Sequence, residues 1–447
     1  MIPLYMPDAV VGADVDRRRL VLPGSKEWDL PSIRAGLLYA APFTKSTAPV
    51  HSGAGSTGLS TEQVSALGTR ARETDDLIVQ ALLNKARFTK FGMLSELARE
   101  NLLLQSNAFT TTWVPFNLVT PAQNVTGPDG VANSAWTLTD NGGSAQIYQT
   151  IGGGVLTDNL QYTLSVRAKA GTSPDFTLLL RDTVASANRA QIDFQWTAGV
   201  LSVKAADVGT VAVRALGGGW YVASATCAAS VIVGANAHQV SIYPTDAGGG
   251  ATGLTSIFYG TQLEVGAAPS TYIPTAASSV VRAADSCGMT ASGNIDIRSP
   301  HTIMAVFKKN AGSPTNGRIV ACNDDNTNLV NLQLNGSVIQ LSIFSGGAPQ
   351  ATIGGGTLVD GTIYVATATV AANNAAIYLN GASLATDTSV TMPAANSTNI
   401  WLGKDGATAA RELNGAIQRL YIWNFAMTAA QVAYTYNRDY RGRWRVV

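Results

Sequence analysis

Hydrophobic and polar positions alternate with a period of two over most of the chain beyond Asn101. Leu160–Ala170 sets Tyr162, Leu164, Val166 and Ala168 on one face, the spacing of a half-buried strand. The stretches 135–136, 219–225, 240–243 and 257–265 read the same way, as do 301–307, 317–321, 330–334, 362–370 and 376–379. Turn residues separate them. Gly127-Pro-Asp-Gly130 is one such break and Asn380-Gly381 another, and Asn-Gly suits the positive φ angles of a tight hairpin. Many short strands with turns of this kind predict a mainly β protein with two antiparallel β-sandwich domains.

The period lengthens between residues 61 and 100. Val64, Leu67, Ala71, Ile78 and Leu82 recur at helical spacing with Arg70, Arg72, Glu73, Asp75 and Asp76 on other faces, and Phe88, Phe91, Leu94 and Leu97 follow a break at Gly92. This predicts a helical neck. Its apolar stripe is expected to pack on sister copies in a homotrimer or on the neighbouring β domain. Residues 1–60 carry Pro3, Pro7, Pro23, Pro31, Pro42 and Pro49, and the run from Ser46 to Ser60 is rich in Ser, Thr and Gly. They read as an extended arm that folds against something else. Trp28, Tyr39 and Phe43 favour an attached arm over a free leader, because such side chains are costly to leave in water. Near the other end, Thr428 suits the N-cap of a helix reaching Tyr434 or beyond.

Composition narrows the class. Charged residues make up only 13% of the 447 and Gly accounts for 44, unlike a disordered chain or a coiled-coil rod. Residues 1–100 hold 12 Lys/Arg and 11 Asp/Glu against 18 of each in the remainder, which marks a change of role near Glu100. The formal net charge of +1 implies no global attraction to nucleic acid or anionic membrane. Cys227, Cys287 and Cys322 are widely spaced with no CxxC pair, so they read as small buried residues rather than a zinc or disulfide framework. The start lacks a basic segment leading into an apolar run, and no apolar stretch of about 20 residues occurs. Neither a secretory leader nor membrane insertion is expected.

Candidate chemistry is sparse. The triple glycines at 152–154, 217–219, 248–250 and 354–356 precede no Lys-Ser or Lys-Thr pair, so they read as turns rather than phosphate loops. Glu264 stands alone, and glycoside hydrolysis needs a second carboxylate across the bond. His51, His238 and His301 are too scattered for a metal set, and the last two sit where strands begin. No catalytic residue, metal or cofactor is expected. The loop Asn323-Asp-Asp-Asn326 offers oxygen ligands, and Trp401, Lys404 and Asp405 combine an aromatic face with charged groups. Asn323, Asp324, Asp325, Trp401, Lys404 and Asp405 are therefore the candidate glycan contacts. The same residues also suit solvated turns, and Trp401 suits a core. The tail from Asn437 is basic and aromatic, fitting acidic polysaccharide or a subunit contact.

Gly260-Thr-Gln-Leu-Glu-Val-Gly-Ala-Ala-Pro-Ser-Thr-Tyr-Ile-Pro-Thr275 with Val280–Asp285, and Asn101–Trp113 before them, resemble the closing and opening strands of jelly-roll, carbohydrate-binding-like modules of bacteriophage virion proteins. Tyr378-Leu-Asn-Gly381 and Leu413–Val432 resemble the hairpin and final strand of concanavalin-A-like, laminin-G-like lectin domains. The resemblances imply a virion-anchoring arm at 1–60, a helical neck at 61–100, a jelly roll at 101–285 and a lectin-like domain at 286–447. They imply a tail-fibre adhesin assembled in the host cytoplasm and carried on the virion surface. Its partners would be other virion proteins, sister subunits and bacterial surface polysaccharide. A head fibre or capsid decoration protein has the same plan. A polysaccharide-degrading enzyme is disfavoured, since no Glu-x-Asp-x-x-Glu run is present.

Overall fold

The computed structural model describes residues 37–42, 88–89, 92–249, 252–285, 287–406, 408 and 411–437. They divide into two compact units, one built from residues 88–89 and 98–284 and one from 37–42, 92–97 and 285–437. The fold is mainly β, and its strands pair antiparallel among the described residues.

The first unit stacks two six-stranded sheets. One runs in the order Val200–Val208, Ala187–Thr197, Asp175–Asp182, His238–Tyr243, Gln146–Ile151, Val114–Phe116. The other runs Thr210–Gly217, Trp220–Thr226, Tyr162–Lys169, Leu254–Val265, Ala135–Asp140, Val119–Val125. The alternation places the core as expected: Tyr162, Leu164, Val166 and Ala168 are all buried, and Phe176 stacks on Phe194 at 4.9 Å between the sheets.

The Gly260–Thr275 segment is specific in wording because nearly every polar group in it is spent internally. Asn101 Nδ2 donates to the carbonyls of Thr261 (3.1 Å) and Ile273 (2.8 Å), and its Oδ1 accepts from Leu103 and Leu263. Tyr272 meets Ser106 at 2.6 Å and lies under the Arg167 guanidinium at 4.9 Å. Gly260 has φ +59, and a Cβ there would fall 2.8 Å from the Tyr272 ring, so only glycine fits both the turn and the approach. The segment thus folds back over the middle of the sheet containing Leu254–Val265, where Tyr272 covers Arg167 and Gly260.

The second unit pairs a larger sheet with a six-stranded one. The first orders Gly92–Ser95, Gly415–Trp423, His301–Lys309, Ile363–Ala371, Asn374–Leu379, Ala382–Asp387. The second orders Cys287–Thr290, Asn399–Leu402, Arg318–Cys322, Leu329–Asn335, Val338–Ser345, Ala348–Thr357. The helix Ala429–Tyr436 begins at Thr428 with a capping box to Gln431, and Val432 packs on Met304, Val306 and Trp423. The Asn380-Gly381 turn has φ +50 and +79, as its composition predicts.

Two expectations are corrected. Val64, Leu67, Ala71, Ile78 and Leu82 lie outside the described residues, but the rest of the expected neck is strand: Phe88–Thr89, Gly92–Ser95 and Arg99–Asn101. Met93 and Leu94 are both buried and pair with Ile417 and Ala416. A sheet edge needing a partner overrides a weak helical preference already broken by Gly92. Leu37–Pro42, within the expected arm, continues the same edge, with Pro42 opposite Arg419. Glycines 354–356 lie inside the strand Ala348–Thr357 rather than in a turn. A Cβ on Gly354 would fall 2.4 Å from the Ile339 carbonyl oxygen, so the glycine serves close strand approach. At 217–219 the turn is present, with φ +87, +60 and +80.

His301 opens the strand His301–Lys309, 1% exposed, and burial holds its pKa down at about 4 against the ordinary 6.5. The native unit keeps this imidazole neutral while the unfolded chain takes up a proton near pH 6.5. Stability is full above that pH and falls as pH drops from 6.5 towards 4, by up to about 3 kcal/mol. His301→Leu is expected to flatten the acid limb of the second unit's unfolding temperature plotted against pH; an unchanged limb counts against this source.

Candidate functional site

The six residues singled out in the lectin-like unit gather at one end of the six-stranded sheet. Asn323 follows the strand Arg318–Cys322 and is fully buried. Its Nδ2 donates to Asp405 Oδ1 at 2.9 Å, and its Oδ1 accepts from the Asn326 amide at 2.8 Å. Asp405 is 2% exposed, and its Oδ2 accepts from Arg318 Nε at 2.9 Å and Arg411 Nη1 at 3.1 Å. Arg318 in turn donates to Gln333, whose Nε2 donates to Gln340 at 2.6 Å. Burial lowers the Arg318 pKa, and Asp405 opposes that shift. Asn323 and Asp405 are thus occupied inside the fold.

The other four lie around this network. Asp324 accepts from the Thr398 amide. Asp325 accepts from the Thr327 amide at 2.9 Å and hydroxyl at 2.7 Å, which hold its carboxyl below the usual range. Trp401 is half-buried with the Lys404 ammonium 4.8 Å from its ring centre. A Cβ on Gly406 would stand 2.0 Å from the indole nitrogen and one on Gly288 2.8 Å from the ring. Trp401 is therefore walled by two glycines and a cation, not laid open as a platform.

Strand register shows what the sequence reading missed. Gly288, Trp401, Ala321, Asn331, Ser342 and Thr352 stand side by side across the sheet. The next row holds Arg318, Gln333 and Gln340. Val330, Leu332 and Leu334 point into the core between them. Asn331 sits mid-row and is 0% exposed, yet neither Oδ1 nor Nδ2 has a hydrogen-bond partner. The half-exposed Gln340 and Phe344 flank Ser342 on the adjoining strand. The only sequence signal was the alternation Val-Asn-Leu-Gln-Leu, which ordinarily denotes a solvated face.

Glu264, the lone acid considered for chemistry, is fully buried. It accepts from Gln262 Nε2 at 2.6 Å and from the Ser270 amide and hydroxyl, each at 2.7 Å, while burial raises its pKa. Those bonds hold the Gly260–Thr275 wrap. Among the described residues, no three His, Cys, Asp or Glu side chains gather as a metal site.

Residues 282–433 match the family described as the Concanavalin A-like lectin/glucanases superfamily. No curated protein matches the chain. Among solved structures, the botulinum neurotoxin type G receptor binding domain is similar at 14% identity and TM-score 0.29, covering 34% of this chain and 40% of that one. The chain thus spans well under half of that domain. The Ruminococcus gnavus IT-sialidase CBM40, bound to α2,3-sialyllactose, is similar at 13% identity and TM-score 0.27, covering 30% and 81%. Domain 4 of an extracellular arabinanase from Geobacillus stearothermophilus, in complex with arabinotriose, is similar at 16% and 0.28, covering 34% and 71%.

Proposed function

We propose that this chain is a surface protein of a bacteriophage particle, a tail-fibre adhesin whose lectin-like unit holds host-surface glycan on the sheet face around Asn331. Asn331 carries the glycan part of this reading. A buried amide with both ends unpaired costs about 1–3 kcal/mol. A hydroxyl-rich ligand, offering donors and acceptors side by side, is the chemistry that offsets it. Asp405, already accepting from Arg318, Arg411 and Asn323, is engaged as an acceptor. The reading is binding without cleavage, since hydrolysis needs two placed carboxylates and Asp405 is taken up by its own network.

The phage part rests on the wording of Asn101–Trp113 and Gly260–Thr275, and the part of the expected arm that precedes the strand Leu37–Pro42 would join the chain to the particle. Weak contacts repeated over several copies would then add up through avidity. Beads carrying lipopolysaccharide or capsular polysaccharide from candidate hosts are expected to retain the full chain and release no oligosaccharide. Retention on none of them, or steady release of oligosaccharide, would overturn the reading. Gold-labelled antibody should decorate the tails of intact particles; label confined to a cell fraction sinks the virion assignment, and label on heads moves it to the capsid.

A further inference from the structure

One edge of the second unit's larger sheet is covered by two separate pieces of chain. Gly415–Trp423 pairs with His301–Lys309 along one side. On its other side Leu37–Pro42 lies against Arg419–Trp423, and Met93–Ser95 lies against Gly415–Ile417. Both pieces run antiparallel to Gly415–Trp423, so they follow each other end to end in one direction. Pro42 stands opposite Arg419 and Met93 opposite Ile417, two ladder positions apart, or about 7 Å. The chain therefore leaves this edge at Pro42 and rejoins it at almost the same point. Leu420, Ile422 and Trp423 are buried, and a bare edge beside them would leave backbone N–H and C=O groups of a core strand unpaired. This half of the edge needs a strand.

We infer that this strand is exchanged between copies: the Arg419–Trp423 edge of one chain is completed by Leu37–Pro42 of a second chain. The backbone bonds are the same whichever chain supplies the strand, so the pairing is indifferent to its source. The connection is what differs. Within one chain, about 50 residues must leave the edge and return to within about 7 Å of their start, at an entropy cost that grows with length. Donation to a neighbour leaves that loop open, and an extended connection of about 50 residues can reach over 100 Å. Association costs concentration instead, and the connecting sequence carries the means to offset it. Val64, Leu67, Ala71, Ile78 and Leu82 recur there at helical spacing, an apolar stripe of the kind that pairs with copies of itself. The uncovered half-edge and the stripe call for the same occupant.

A strand from an unrelated protein fits less well. Leu37, Tyr39, Ala40, Ala41 and Pro42 already match the half-edge position by position, apart from one shift between Leu37 and Tyr39, and every copy carries both the donor and the acceptor. Pro42 also sets the limit of the donated piece. It has no N–H to give to a ladder, so pairing stops there, and the rest of the edge is left to Met93–Ser95.

Cysteines at facing positions read the source of the strand on the full chain. Ala40 faces Tyr421 and Pro42 faces Arg419, and facing residues of an antiparallel pair lie within disulfide reach. The native Cys227, Cys287 and Cys322 are free and buried, and the wild-type chain sets the background. Chains carrying Ala40→Cys and Tyr421→Cys, with tags of different length, are co-expressed and oxidised. A disulfide-linked pair bearing both tags is expected at about tenfold the level of dimer from either variant alone. Pro42→Cys with Arg419→Cys repeats the test should the first pair misfold. Light scattering on the wild-type chain should give a mass above that of one chain, and the double variant Ala40→Cys, Tyr421→Cys should give covalent multimers. A double variant that consumes both thiols yet stays one chain in mass overturns the inference. So does a wild-type chain that scatters as a monomer, or no mixed link from either pair. None of these readouts involves sugar, so failure of the glycan reading leaves this inference standing, and its own failure leaves that reading untouched.

Discussion

Asn331→Val is expected to make the protein more stable and a worse binder at once. The wild-type amide is 0% exposed with both ends unpaired, so the folded state carries the desolvation cost of a donor and an acceptor with no hydrogen bond in return. Replacing them with apolar groups of similar size removes about 1–3 kcal/mol of that cost. Valine also favours a strand, and Ala321 beside it leaves room for the branch. For a unit of this size the gain raises its unfolding temperature by several degrees. Retention on glycan beads should fall at least tenfold, because hydrogen bonds to hydroxyl groups are what a methyl cannot supply. Calorimetry and bead retention on the same preparation check both halves. A destabilised Asn331→Val would mean that the amide is bound within the fold, and the lectin-unit proposal would lose its support.

Why the sequence revealed the fold but not this residue is a matter of period. Strands such as Tyr162–Lys169 and Gly415–Trp423 were legible because alternation names the buried set directly, and the C-terminal helix because Thr428 and Gln431 form a local cap. Alternation says only that Asn331, Gln333, Tyr148 and Tyr243 point away from the core. Whether that outer face meets water, a covering segment or a ligand depends on loops distant in sequence. Asn323 and Asp405 show the same limit. Their side-chain types suggested a ligand set, yet 82 residues apart they hydrogen-bond to each other. Between residues 92 and 101 the apolar spacing fits helix or strand, and the edge of Gly415–Trp423 decides for strand at Met93–Ser95, as Val280–Arg282 does at Arg99–Asn101.

Asp405→Ala is expected to be the most damaging single change in the lectin-like unit. The Arg318 side chain is 6% exposed and its Nε donates to Asp405 Oδ2. Burial already weighs against its charge, as the lowered pKa records. Removing the carboxylate leaves a guanidinium inside the protein without its counter-charge, at a cost of about 3–5 kcal/mol. Asn323 loses an acceptor and Arg411 an ion pair in the same step. The loss comes from stranding one charge rather than from the strength of the pair. The double variant Arg318→Met, Asp405→Leu should therefore recover most of the stability. The surface pair Arg298–Asp296, with side chains 54% and 39% exposed, serves as the contrast, and Asp296→Ala should leave the unfolding temperature unchanged. Chemical denaturation of the four proteins decides the matter. A mild Asp405→Ala, or a double variant as unstable as the single, would show that the network contributes through packing and not through charge compensation.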